Sequence, residues 1–334
     1  MPKRVRVVCF DRRQFLQLGS AAVGAAALPG CETLDLPAGL VGELPDPLTP
    51  NDQFYVQSCC GTPAVDVDAW SLDISVLGEL VAQIDVAFLE SLTLRTKEHT
   101  LQCIGGGPSL QQISNAVWGG LPLREILDLL GVELPSSVVG QKWRCADFYE
   151  TGLPVEDVET MWAVWRMNDE PLPADHGGPL RLLTPGRYGT KNPKWPIELD
   201  FLDTPYEGFW ERLGWSDSSE YLANTFIGAP RELAVSGQGE ILVRGTAFAG
   251  DDPVEKVELP TAGGESWFEV ELYYQGGADV WSLWRHTWRP PEPGVYLLQA
   301  RVTTVSGAQS SPDASAPFFL NGYDGSMASE VEVG

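Results

Sequence analysis

After Pro230 the chain breaks into short alternating runs cut by turn residues, and this punctuation constrains its fold more than any other feature. The runs are Ile241-Leu-Val243, Trp267-Phe-Glu-Val270-Glu-Leu272 and Val295-Tyr296-Leu-Leu-Gln-Ala-Arg301-Val302. Asp251-Asp-Pro253, Gly263-Gly264, Gly276-Gly277 and Pro293-Gly294 punctuate them. Alternation buries one face of a strand, while Gly and Pro supply the turn conformations between strands. About seven such strands in roughly ninety residues predict an immunoglobulin-like β-sandwich over residues 229–320. Trp281, Trp284 and Trp288 suit its core and an interface better than chemistry. Residues 321–334, acidic after Gly322, read as a loose tail.

The preceding part has a different texture. Trp70, Leu72, Ile74 and Val76 alternate and predict a half-buried strand. Asp85 suits the N-cap of a helix through Phe88, Leu89 and Leu92. Met161, Ala163 and Trp165 alternate as a buried strand, and Asn168-Asp169-Glu170-Pro171 makes a turn. The stretch from Thr100 to Gly131 is the most informative. Thr100-Leu-Gln delivers Cys103 to a loop with Gly105, Gly106, Gly107 and Pro108. Pro122 then opens a short helix with Leu123, Ile126, Leu127 and Leu130 at helical spacing, and Gly131 suits its C-terminal end. Cys103 is either a buried loop cysteine or a metal-binding thiolate held between packed elements.

A net charge of −24 on 334 residues argues against nucleic acid and anionic membrane surfaces as partners. The basic residues that open the chain are of another kind. Lys3, Arg4 and Arg6, the pattern Asp11-Arg12-Arg13-Gln14-Phe15-Leu16, and the apolar run Leu18 to Leu28 read as a twin-arginine export signal over residues 1–31. The run is too short to span a bilayer. Leu28-Pro29-Gly30-Cys31 resembles a lipoprotein cleavage box, which makes Cys31 a lipid anchor and places the protein in the periplasm or cell envelope. Residues 32–50, with Pro37, Pro45, Pro47 and Pro50, read as a linker. Cys59, Cys60, Cys103 and Cys145 remain; adjacent cysteines such as Cys59 and Cys60 rarely bridge each other because the ring is strained. His99, His176 and His286 are scattered, and the chain has no H-E-x-x-H, G-x-S-x-G, P-loop, dinucleotide or C-x-x-C-H motif.

Several motifs occur in one order: Thr-Leu-x-Cys103 with glycines after it, Asn115-Ala116-x-Trp118-x-Gly120-x-Pro-Leu, Asp175-His176-Gly177-Gly178-Pro179-Leu180-Arg181, and Pro185-Gly186-Arg187-Tyr188-Gly189 leading to Lys194-Trp195. Together they resemble the sulfite oxidase family of molybdopterin-dependent oxidoreductases over roughly residues 50 to 320. The resemblance implies an α+β fold, with a molybdopterin-binding domain over residues 51–228 followed by the sandwich as a dimerisation-type domain. It implies a molybdenum-molybdopterin cofactor ligated by Cys103, with Tyr149, five residues before Pro154, near the metal. Gln57, Ser58, Cys59, His176, Arg181, Lys191 and Lys194 fall where the family contacts the cofactor. Arg181, Arg187, Lys191 and Lys194 lie within fourteen residues of an otherwise acidic chain, which is either a site for an anionic ligand or a solvated basic loop.

The sequence also departs from the family. Where the family reads Arg-Asn-His, this chain has Gln57-Ser58-Cys59, so a cation facing the cofactor is gone while hydrogen-bond donors remain. The arginine that follows the cysteine in the family is also missing, with none before Arg124. Sulfite is therefore a poor substrate expectation. The reading is an exported oxidoreductase that moves an oxygen atom to or from a small-molecule donor or acceptor. Electrons pass to a separate carrier, since no haem or iron–sulfur motif is present. The rival reading is a surface lipoprotein that keeps this fold without the cofactor and binds a partner.

Overall fold

The computed structural model describes residues 44–105, 112–230, 233–235, 240–261, 266–311, 322–323, 325–326 and 328–333. The export motif, Cys31, and Gly106, Gly107 and Pro108 lie outside these residues. The first part opens on a hairpin, β1 (Ser71–Val76) and β2 (Glu79–Asp85), that runs into helix α1 (Val86–Ser91). Strands β3 (Arg95–Gln102) and β4 (Ile113–Pro122) flank the Cys103 loop, and β4 continues directly into α2 (Leu123–Leu129). Then come β5 (Gly140–Cys145), β6 (Glu150–Pro154), β7 (Trp162–Met167), β8 (Glu170–Pro171), β9 (Arg181–Leu183) and β10 (Pro196–Leu202).

These strands form two sheets, β2-β1-β10-β5-β6 and β3-β4-β7-β8, with β9 pairing β7. The alternation of Leu72, Ile74 and Val76 places Ile74 opposite Leu199 and Val76 opposite Phe201 across the parallel β1–β10 pair. Asp85 caps α1 as its position predicts, its Oδ1 accepting from Phe88 N at 2.8 Å. Leu123, Ile126 and Leu127 face inward from α2, and Gly131 just beyond it takes a φ of +68°. The shared core joins Leu72, Ile74, Trp143, Leu199 and Phe201 of the first sheet to Leu121, Ala163, Trp165 and Leu182 of the second, with the α2 leucines between. Each buried leucine, isoleucine or phenylalanine there contributes about 1.5–3 kcal/mol by leaving water. The opposite face of the second sheet is apolar too, with Leu101, Ala116, Trp118 and Val164 packed under Phe54. It is this doubly buried sheet that carries Cys103 and Arg181 at its margins.

The remainder is all strand. Asn224–Ala229, Ile241–Phe248, Ser282–Trp288 and Glu271–Tyr274 pair in one sheet, with Gly325–Ser326 at its edge. Val254–Pro260 pairs with Trp267–Glu269 and Arg301–Thr304 in a second, and Ser329–Val333 lies between Leu233–Val235 and Gly294–Leu298 in a third. Val243, Val257, Trp284 and Val302 are fully buried between them.

Four expectations are corrected. The described residues are mostly β, not α+β: the two α-helices span six and seven residues, too little to cover a sheet face, so sheet packs on sheet. The boundary after residue 228 falls inside a strand, because Asn224–Ala229 already pairs with Ile241–Phe248. The loose tail is instead a strand from Ser329 to Val333, whose Val331 and Val333 are buried beside Ile241. The end of the linker is docked: Pro45 O accepts from Tyr273 Oη, and Pro47 O accepts from Asn115 Nδ2 and Trp281 Nε1.

The two parts meet directly behind Cys103. Thr100 N donates to Asp279 O at 2.8 Å, and Trp281 N donates to Thr100 Oγ1 at 2.9 Å. Asp279 Oδ1 also accepts from Gly186 N. The second part therefore braces both the strand that delivers the cysteine and the loop that follows β9.

Candidate active site

Strand β3 ends at Gln102, so Cys103 is the first residue past the sheet, and its N–H closes the base of the glycine loop by donating to Gln112 O at 2.9 Å. Cys103 lines a cavity of about 270 Å³. Gly105 sits under Trp215, whose ring lies 3.2 Å from where a Cβ would stand, so a larger residue would press on that ring. Trp215 and Trp210, 5.2 Å apart between ring centroids, form the aromatic side of the cavity.

The segment from Phe54 to Cys59 supplies Tyr55, Gln57, Ser58 and Cys59 to the wall. Gln57 Oε1 accepts from Gln112 Nε2 at 2.8 Å, tying this segment to the end of the cysteine loop. The His176 turn and β9 bring in His176 and Arg181, and the chain returns through Gly189, Thr190, Asn192, Pro193 and Lys194. Gly177, at φ +117°, lets this happen: a Cβ there would lie 3.0 Å from Arg181 Cβ and 3.2 Å from Lys194 Cβ.

The cations decide the electrostatics. Arg181 is only 6% exposed, stacks over Trp118 at 5.3 Å, and donates through Nη1 to His176 O at 3.0 Å. Its buried Nε has no partner, and among the described residues no carboxylate pairs with it. Burial pushes its pKa down to about 10. Lys194 donates to Asp175 O at 2.9 Å and rests against Trp195. Burial, helped by the Arg181 charge, pushes Lys194 down to about 7. Two poorly compensated cations on one wall call for an anion, because an unpaired buried charge is costly.

His176 is buried against Phe54 and contacts Asn51 O through Nε2 at 2.7 Å. A carbonyl only accepts, so Nε2 carries the proton and a neutral ring keeps Nδ1 as an acceptor. Burial lowers its pKa. Tyr149 also lines the cavity, but its hydroxyl donates to Thr190 O at 2.6 Å, and burial raises its pKa. Its single proton thus fixes the Gly189–Lys191 turn instead of facing the cavity.

Two of the four clustered cations lie elsewhere. Lys191, expected against the cofactor, is buried behind the wall, where Nζ donates to Gly152 O at 2.8 Å and pairs with Glu211. Arg187 pairs with Asp157 at 2.8 Å. The structure thus gathers Cys103, Tyr149, Gln57, Ser58, Cys59, His176, Arg181 and Lys194 in one cavity and leaves Lys191 out.

Sequence reasoning missed Asp147, Tyr55 and the tryptophan pair. Asp147 reaches the cavity from the β5–β6 turn, where Phe148 takes φ +67°, and burial raises its pKa. Tyr55 lines the cavity two residues before Gln57, and burial, with the Cys103 charge, raises its pKa. Among the described residues no group of three or more His, Cys, Asp or Glu converges on a metal position.

Residues 60–210 match the model of the oxidoreductase molybdopterin binding domain. Sulfite oxidase of Gallus gallus is 26% identical over 326 residues, covering 81% of this chain and 70% of that protein. Sulfite oxidase of Arabidopsis thaliana is 24% identical over 280 residues, covering 69% and 71%. Among solved structures, the sulfane dehydrogenase SoxCD from Paracoccus pantotrophus superposes with a TM-score of 0.73 at 18% identity, covering 84% of this chain and 79% of that one.

Proposed function

The chain is a divergent member of the sulfite oxidase family of molybdopterin-dependent oxidoreductases, and on that premise we propose that its cavity performs two-electron oxygen-atom transfer on a small molecule, with Cys103 as the protein ligand to molybdenum. The observation that carries this reading is Arg181. Its Nε is buried without a partner, and it shares the cavity with Lys194 and Cys103.

The residues fit the cofactor. Arg181 and Lys194 would hold its anionic phosphate end, since neither has a carboxylate close enough to pair among the described residues. His176 would offer Nδ1 as an acceptor, with Gln57 and Ser58 as neutral hydrogen-bonding groups across from it. Cys103 sits where the strand end fixes its backbone, and soft sulfur suits molybdenum. When bound, the cofactor supplies the oxygen-atom transfer and the two-electron change. The protein's own part is to orient the cofactor and to shield it with Trp210 and Trp215, while Tyr149 keeps the Gly189–Lys191 turn in place through Thr190.

The substrate we propose is an uncharged oxygen-atom donor or acceptor, such as an organic sulfoxide. Gln57 stands where the family carries an arginine, and the Cys103 loop brings none, so the cations of this cavity are committed to the cofactor. Arg12-Arg13 and Cys31 support export and a lipid tether at the cell envelope. A separate carrier would take or supply the electrons, and the C-terminal sheets support an immunoglobulin-like dimerisation-type domain and a homodimer.

The test is a comparison of turnover by protein purified from a host that makes the cofactor. Dye-linked reduction of organic sulfoxides is expected to exceed dye-linked oxidation of sulfite. Sulfite as the better substrate would overturn the substrate class, and no turnover by fully loaded protein with any oxygen-atom donor or acceptor would overturn the activity.

A further inference from the structure

Cys59 and Cys60 place their sulfurs 2.7 Å apart. A disulfide needs about 2.05 Å, so a shift of well under about 1 Å would join them. The two residues face differently: Cys60 is exposed, and Cys59 is half-buried in the wall of the cavity. Their turn is held from both sides. Ser58 Oγ accepts from Gly61 N at 3.0 Å, Gly61 takes φ +89°, and Thr62 Oγ1 donates to Asp175 Oδ1 at 2.7 Å. Neither sulfur is required by the oxygen-atom chemistry above.

We propose that Cys59 and Cys60 form a second, thiol-redox site, a vicinal dithiol that reduces small organic disulfides and closes to a vicinal disulfide at the cavity wall. Exposure sets the order of events. Cys60 gives its proton to water, and its thiolate attacks one sulfur of the disulfide R–S–S–R. Its S–S bond breaks, and one RS⁻ leaves with the bonding pair. Cys59 then gives its proton to water and attacks the Cys60 sulfur, forming the Cys59–Cys60 bond and expelling the second RS⁻. Two protein thiols are oxidised and one disulfide becomes two thiols.

Exposure makes Cys60 the first attacker, and Cys59 resolves the mixed disulfide only as it loses its proton, because burial, the contact with Cys60 and the charge of Asp147 push its thiol up to about 12. A ring closed between adjacent cysteines is strained and easily reopened by thiols, which makes the site reversible. The redox state also changes what the cavity meets at this position. The dithiol offers an S–H donor, and the disulfide offers none.

The experiment treats the full chain, loaded or free of cofactor, with glutathione disulfide, traps remaining thiols with N-ethylmaleimide, and reads the peptide that carries residues 59 and 60 by mass spectrometry. The peptide should escape alkylation, weigh less by two hydrogens, and regain both alkylation sites after excess reduced glutathione. Cys59→Ser should stop at a glutathione adduct on Cys60, and Cys60→Ser should leave Cys59 as a free thiol. Full alkylation of both residues after treatment, or a bridge from either one to Cys145, would overturn the proposal. The readout is thiol chemistry alone, so it stands or falls independently of the molybdenum reading.

Discussion

Arg181 and Lys194 face each other across an isolated antiparallel bridge, and both side chains line the cavity that holds Cys103. Their backbones are locked together, so the two charges cannot separate to find counter-ions elsewhere. An anion that enters the cavity meets both.

Arg181→Met should separate a structural from a binding role. The variant loses the bond to His176 O and the stacking on Trp118, but it also removes a buried, half-satisfied charge. Urea denaturation of cofactor-free protein should therefore show a stability change within about 2 kcal/mol. Molybdenum retained after dialysis should fall well below that of the parent. A large loss of stability with full retention would make Arg181 a structural residue.

Lys194 gives the cofactor-free protein a distinctive pH dependence. Its pKa falls to about 7 in the folded chain, below its ordinary value near 10.5. Between these pH values the unfolded state binds more protons, so this lysine makes the folded state more stable as pH rises above 7. Thermal melting at pH 6.5 and pH 8.5 should show that gain in the parent and a smaller one in Lys194→Met. Loading the cofactor should remove most of the difference, because an anion beside Lys194 favours its charged form. An identical pH response in parent and variant would contradict the placement of this charge.

Lys191 is predicted to matter for folding alone. It is 1% exposed and its partner Glu211 2% exposed. Removing one member of such a pair leaves a buried charge, at a cost of about 3–5 kcal/mol. Lys191→Met should show that loss in urea denaturation, and replacing Glu211 with Leu in the same chain should recover much of it. Lys191→Met with parental stability but depleted molybdenum would restore the cofactor-binding role.

What the sequence could and could not show follows from the range of each signal. The alternation of Leu72 with Ile74, the Asp85 cap and the Pro122-to-Gly131 helix were legible because their causes lie within a few residues. Cys103, His176, Arg181 and Lys194 were legible by motif, and the fold brings them together. Lys191 was misplaced because its partner Glu211 lies twenty residues away, and a count of nearby cations cannot see which carboxylate folds back onto which. Asp147 was missed because a lone polar residue between two strands carries no local signal, and only the fold brings it to the cavity wall. The final strand was missed because five residues of alternation carry little signal until Gly294–Leu298 is placed beside them.

The central claim is that this cavity holds molybdenum through Cys103, and elemental mass spectrometry tests it most directly. Protein purified from a host that makes the cofactor should carry a stoichiometric amount of molybdenum, and Cys103→Ser should stay folded while losing activity and most of the metal. Folded parent protein without molybdenum, from a host whose other molybdenum enzymes are loaded, would contradict the account, as would Cys103→Ser with unchanged metal and turnover.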